Sequence, residues 1–198
     1  MVLIPSPPLA VYGTLLSPNL LRSLLGRLPP VTAGILLPDH RPDPNKLLAR
    51  RRVRDQAYPG LLLMDRADVD GDVDPIRVAI LDDLTEREMA ILDAYEDDEY
   101  SRTTVTVRPT CRVSQGGGRE ILQNEEACDW ALGRGKSFDV EWDVGDSVLA
   151  QVYLWTAPNP ERDLELETQW VPSLHFFPVE HLYINRLKGF AESIGLQK

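Results

Sequence analysis

Leu9-Ala10-Val11-Tyr12-Gly13-Thr14-Leu15-Leu16-Ser17-Pro18 is the stretch that decides how the rest of the chain is read. Its apolar start makes a short buried strand, and Gly13 stops that strand in a tight turn. Ser17 then stands as an N-cap with Pro18 at the first helical position. Leu20, Leu21, Leu24 and Leu25 follow at helical spacing. A strand that ends in glycine can turn sharply and present consecutive backbone N–H groups. Such a concavity binds an anionic oxygen, for example a carboxylate. The same residues also fit an ordinary glycine turn without a ligand.

Working outward, short apolar runs punctuated by Pro, Gly and Asp predict strands over 31–37, 47–53, 61–64, 76–81, 103–107 and 148–155. Loops fall at 38–44 and 65–74, and Tyr58-Pro59-Gly60 reads as a turn. Thr85 and Glu88 form a capping box that opens a helix carrying Met89, Leu92 and Tyr95 on one face. Residues 178–194 place Leu182, Leu187, Phe190 and Ile194 at helical spacing, which predicts one closing helix. Many short strands with few helices predict an α+β fold, a small mixed β-barrel with flanking helices, not a doubly wound sheet. The expected organisation is a single domain over 1–198, with an insertion at about 114–146 and a C-terminal helical extension from about 172. The insertion opens with Gly116-Gly117-Gly118 and is polar and mostly acidic. It is expected to bury little apolar area and to be more mobile than the barrel.

The formal net charge of -10 repels phosphate backbones, so nucleic acid is not an expected partner. Arg50, Arg51, Arg52 and Arg54 invite an RNA-binding reading. Along a strand they point to both faces, and salt bridges to the abundant carboxylates explain them as well. No apolar run approaches the roughly 18 residues that span a bilayer. The N-terminus has no basic region before its prolines, so neither membrane nor secretion is expected and the location is read as cytoplasmic. Cys111 and Cys128 read as two reduced thiols, although a disulfide between them is possible on paper. The sequence sets no oligomeric state.

Several common catalytic signatures are absent. There is no G-x-S-x-G. Gly135-Lys136-Ser137 resembles the end of a P-loop, but Trp130 stands where that motif needs its first glycine. His40, His175 and His181 show no zinc-site spacing, so no metal is expected. What remains is Leu92-Asp93-Ala94-Tyr95-Glu96-Asp97-Asp98-Glu99-Tyr100-Ser101-Arg102, where a helix ends and a strand begins. The negative pole of the helix and the mutual repulsion of four carboxylates both favour protonation of any one of them that is buried. A raised pKa suits a general base. A solvated acidic loop is the equal alternative.

Together these pieces resemble the gamma-glutamylcyclotransferase-like superfamily, in particular the branch of the plant avirulence-induced-gene proteins and gamma-glutamylamine cyclotransferase. Five motifs carry the resemblance in the family's order. They are Val11-Tyr12-Gly13-Thr14-Leu15, His40-Arg41, Tyr58-Pro59-Gly60-Leu61, the Leu92-to-Glu96 helix with Tyr100 and Arg102, and Val152-Tyr153-Leu154-Trp155. The likeness covers roughly residues 9–110 and 147–170. It implies a small mixed barrel with a pocket at its edge and a gamma-glutamyl small molecule as substrate. It implies Glu96 as acid/base, with Tyr12, Gly13, Thr14 and Leu15 holding the substrate's amino-acid end. Tyr100 and Tyr153 are candidates for pocket walls or hydroxyl donors, with core packing as the other reading. The implied reaction closes 5-oxoproline from the substrate's own α-amine and needs no cofactor. The family often has Gly after its glutamate, and here Asp97 stands there. A non-catalytic module holding a metabolite or a protein on the same fold is the rival from a different class.

Overall fold

The computed structural model describes residues 7–37, 43–69, 74–113, 118–134, 140–141 and 146–195. The strands are β1 (Leu9–Val11), β2 (Val31–Leu36), β3 (Lys46–Val53), β4 (Pro59–Asp65), β5 (Ile76–Leu81), β6 (Tyr100–Pro109), β7 (Cys111–Val113), β8 (Arg119–Ile121), β9 (Val140–Glu141), β10 (Val148–Trp155) and β11 (Leu164–Gln169). The helices are α1 (Pro18–Leu25), α2 (Glu86–Glu96), α3 (Asn124–Leu132), α4 (Pro160–Asp163), α5 (Pro172–His175), α6 (Glu180–Arg186) and α7 (Phe190–Ser193). Five strands close the expected mixed barrel in the order β1-β10-β6-β2-β5. Only the β1–β10 pairing in it is parallel, with Ala10 opposite Val152. Two small sheets, β11-β3-β4 and β8-β7-β9, flank it.

Period-2 alternation sorts the side chains. Ala10, Val78, Ile80, Val105, Val107, Ala150 and Val152 cluster together, as the inner face of the barrel requires. Leu9, Val11, Ala79, Leu81 and Tyr153 point the other way and pack with Leu20, Leu21, Leu24, Met89 and Leu92 of the helices. The two local caps read from the sequence are present. Ser17 Oγ accepts the Leu20 N–H at 3.2 Å. Thr85 Oγ1 accepts the Glu88 N–H at 3.2 Å while Glu88 Oε2 accepts the Thr85 N–H at 2.8 Å. Glu88 is further clamped by Arg27, with Nε–Oε1 at 2.6 Å and the second bond at 2.8 Å, and this partner holds its carboxyl below the usual range.

Four expectations change. Pro59 and Gly60 open β4 and are not a separate turn. A further strand, β11, pairs with β3, Leu164 lying opposite Val53. The closing helix expected over 178–194 is two short helices, α6 and α7, because Gly189 sits at φ +80 and breaks the apolar run, and a further short helix, α5, precedes them. The part of the insertion that is described is not a solvated excursion. Leu122, Ala127, Cys128, Trp130, Ala131 and Leu132 are all buried in the main core. α3 is tied to β2 through the Ala33 N–H, which Leu122 O accepts at 3.0 Å, and through a bridge between Thr32 and Gln123. Arg77 stacks on the Trp130 ring at 4.9 Å and donates to its carbonyl. The acidic surface residues concealed this apolar stripe from a compositional reading.

The arginine strand does face both ways, but carboxylates account for little of it. Arg50 donates to the Tyr12 carbonyl at 3.0 Å and lies 5.1 Å over the Trp170 ring. Burial lowers its pKa to about 10. Arg52 pairs with Glu165, and Arg54 donates to the carbonyls of Arg162 and Leu164. Cys111 and Cys128 are free, buried thiols, and burial pushes Cys128 up to about 12. Among the described residues no helix is long and apolar enough to cross a membrane. His40-Arg41 and Gly135-Lys136-Ser137 lie outside the described residues.

Candidate active site

Strand direction brings the sequence motifs to one end of the barrel. β1 and β10 run parallel, so Gly13 and Trp155 leave the sheet on the same side. β6 is antiparallel to β10, with Tyr100 opposite Trp155, so its first residue arrives at that end too. α2 finishes at Glu96 immediately before β6. Pro59 at the start of β4 completes the rim, since the Tyr100 hydroxyl donates to its carbonyl at 3.0 Å.

A cavity of about 190 Å³ opens there. All six predicted binding residues and Glu96 line it: Tyr12, Gly13, Thr14, Leu15, Tyr100 and Tyr153. Their contributions differ. The Tyr12 hydroxyl is committed to the barrel, donating to Tyr153 O at 2.8 Å and accepting from the Leu61 N–H at 3.2 Å. The Leu15 side chain belongs to the core, which leaves only its backbone for a ligand. Thr14 to Leu16 form a single 3-10 turn. The first N–H groups of such a turn have no intrahelical acceptor. The Thr14 hydroxyl is bonded to the Tyr95 hydroxyl at 2.9 Å. The Tyr153 hydroxyl donates to Asp93 Oδ1 at 2.7 Å, and Arg102 Nε pairs with the same oxygen at 3.0 Å.

Glu96 is partly exposed, and the surface it shows belongs to the cavity wall. Burial raises its pKa to about 8. The cause differs from the one read in the sequence: loss of solvation alone lifts it. Asp97 and Glu99 are exposed neighbours, and neither contributes to the shift. Burial likewise pushes Tyr12 and Tyr100 well above their ordinary value. Tyr58, Pro59, Tyr95, Asp97 and Glu99, which stand in the stretches singled out in the sequence without being named as binding residues, and Tyr183 form the other walls. In the sequence Tyr58 and Pro59 read as a turn and Tyr95 as one face of a helix. No local signal marks Tyr183. Among the described residues no group of His, Cys, Asp and Glu could hold a metal ion.

Two backbone positions around the cavity carry testable consequences. Gly13 has φ -115, outside the left-handed region that favours glycine. Its constraint is steric. A Cβ there would sit 3.0 Å from Pro59 Cδ and 3.2 Å from Cγ. Gly13→Ala must displace the Pro59 ring, and we expect it to cost about 1–3 kcal/mol in chemical denaturation. An unchanged midpoint would show that the ring yields freely. Asp97 presents the converse case. It caps α2 at φ 60, ψ -172, a region essentially reserved for glycine. Its Oδ1 accepts the Asp98 N–H at 2.8 Å, a small compensation. Asp97→Gly is expected to stabilise the protein by about 1 kcal/mol net of the extra chain entropy of glycine. A loss of stability would mean that the aspartate side chain holds this corner.

The model of the family described as Gamma-glutamyl cyclotransferase, AIG2-like, matches residues 9–128. AIG2-like protein C of Arabidopsis thaliana is 33% identical over 102 residues, covering 52% of this chain and 50% of that protein. AIG2-like protein D of the same plant is 33% identical over 97 residues, covering 49% and 53%. The chain thus spans about half the length of the curated relatives it matches. Two Arabidopsis thaliana proteins solved in solution are similar in structure. One has a TM-score of 0.47 at 18% identity, covering 94% of this chain and 91% of the other. The second has a TM-score of 0.48 at 14% identity, covering 96% and 84%.

Proposed function

Because the chain belongs to the gamma-glutamyl cyclotransferase, AIG2-like family, we propose that it cyclises a gamma-glutamyl amine or gamma-glutamyl peptide to 5-oxoproline, with Glu96 as general acid/base. The observation that carries the reading is a carboxyl at the end of α2, lifted to about 8 by burial, in the same cavity as the Gly13–Leu15 turn. A pKa near the working pH is what proton shuttling asks for.

In the ground state the substrate's α-amine is an ammonium with no lone pair to give. Glu96 as carboxylate takes one of its protons. The freed nitrogen attacks the γ-carbonyl carbon, and a five-membered ring forms without any entropy of bringing partners together. The Glu96 acid gives its proton to the departing nitrogen as the old C–N bond breaks, and the carboxylate so restored accepts the ring nitrogen's second proton, which passes on to the released amine. The backbone N–H groups of Thr14 and Leu15 are the candidates for the substrate carboxylate or the developing oxyanion. Tyr100 and Tyr153, their hydroxyls already donated elsewhere, serve as walls.

The pH profile tests this directly. The base must be ionised in the free enzyme, so kcat/KM should fall about tenfold per pH unit below about 8. Stability should run the opposite way. An acid whose folded pKa lies above its unfolded value contributes stability below the unfolded value, and that contribution is lost as pH rises through about 8. A kcat/KM that stays flat from pH 5 to 8 would remove Glu96 from the role of base.

A further inference from the structure

Arg50, on β3, stands behind the turn of the candidate site without lining the cavity. Its Nη1 donates to the Tyr12 carbonyl at 3.0 Å, and its guanidinium lies 5.1 Å over the Trp170 ring. Its Nε is buried and has no hydrogen-bond partner. Among the described residues no carboxylate pairs with it, whereas Arg52, two residues on, has Glu165. The charge of Arg77 opposes it, and burial keeps the Tyr12 phenol neutral beside it. A cation taken out of water without a counter-charge is costly. The Tyr12–Gly13 peptide is trans, and its carbonyl faces Arg50, so its N–H points the opposite way. Gly13 lines the cavity. Among the described residues no acceptor takes the N–H groups of Gly13, Thr14 or Leu15.

Resting on the cyclotransferase reading, we infer that Arg50 is a positioning residue for it, the counter-charge of the substrate's α-carboxylate, acting through the Tyr12–Gly13 peptide. The hydrogen bond at the carbonyl polarises the amide and makes the Gly13 N–H a stronger donor. It also fixes the plane of the peptide, so the N–H keeps its direction before any ligand arrives. A carboxylate oxygen on that N–H would stand about 8 Å from the guanidinium. The buried Trp170 ring covers the guanidinium, so water weakens the attraction less than it would for a surface pair. When the carboxylate is seated, the unpaired cation behind the turn gains its partner. The indirect route has a use. A cation inside the cavity would repel the α-ammonium that Glu96 has to reach, and one behind the peptide serves the carboxylate from outside.

Two ligands that differ in one charge test the idea: 5-oxoproline and 5-oxoprolinamide, titrated while the amide resonances of Gly13, Thr14 and Leu15 are followed by NMR. The wild type should bind the acid about tenfold more tightly than the amide. Arg50→Met, whose side chain can still lie on Trp170, should cut that ratio to about threefold or less and change the affinity for the amide little. Arg50→Lys keeps the charge and should keep most of the ratio. Arg50→Gln is the neutral variant to use if Arg50→Met does not fold. A side chain that only supports the fold would weaken both ligands alike. A ratio unchanged in the neutral variant therefore overturns the inference, as does a wild type whose Gly13 resonance answers to neither ligand. Release of 5-oxoproline from gamma-glutamyl compounds is measured separately. Release without an Arg50-dependent ratio removes Arg50 from the account and leaves the cyclotransferase reading intact. An Arg50-dependent ratio without release sinks that reading and leaves Arg50 as the counter-charge of a bound carboxylate.

Discussion

Glu96→Gln should lower cyclotransferase kcat by roughly 100-fold or more, the usual worth of a positioned proton transfer. The amide is nearly isosteric and cannot accept the α-ammonium proton. It should still bind a gamma-glutamyl ligand, so calorimetry on the variant should return an affinity close to that of the wild type. The same substitution removes a charge that the folded protein holds at a cost. Burial lifts the carboxyl to about 8, so above that pH the wild type pays for an ionised group that the variant lacks. The variant should therefore melt higher than the wild type at pH 9, by on the order of a few kcal/mol, and the advantage should shrink toward pH 5. Activity lost together with stability gained marks a group retained for chemistry. Unchanged turnover would move the base to Asp97, Asp98 or Glu99.

Trp130→Ala should destabilise the fold by about 3–5 kcal/mol, the range for deleting a large aromatic from a core. Trp130 is 7% exposed, packs in the main core with Leu122, Cys128 and Leu132, and carries the stacked Arg77. The effect should appear as a lower denaturant midpoint with an unchanged slope. Replacing residues 116–136 with a short Gly-Ser linker should be worse still, since it removes α3 from against β2. A thermal midpoint unmoved by that replacement would return the segment to the status of an appendage, as its polar composition first suggested.

How far the sequence could be read follows from which signals are local. β5 and β10 have the ends expected from their apolar runs, and the caps at Ser17 and Thr85 are where the residue types require them. Those features depend on neighbours a few positions away. β11 carries a legible signal: Leu164 and Leu166 alternate with Glu165 and Glu167, a half-buried strand pattern under two strong charges. Glu96 and Gly13 stand in motifs that are visible in the sequence, and both line the cavity. The reason for the glycine is not visible there, because Pro59 is distant in sequence and only the fold brings its ring to 3.0 Å. The same holds for the tyrosines. Each alone reads as core or turn, and their convergence exists only once β1, α2, β6, β10 and α6 meet at one end of the barrel. The sequence favours a raised pKa for whichever of the four carboxylates is buried but does not say which; burial singles out Glu96, because charge density is visible in a sequence and depth of burial is not.

The central claim is chemical, and the direct measurement is of product. Purified protein incubated at pH 8 with gamma-glutamyl amines and peptides should release 5-oxoproline in one-to-one proportion with the free amine, and Glu96→Gln under the same conditions should release almost none. Absence of 5-oxoproline from every compound, with the protein folded and Glu96 intact, would contradict the account and leave the cavity a binding site without a reaction.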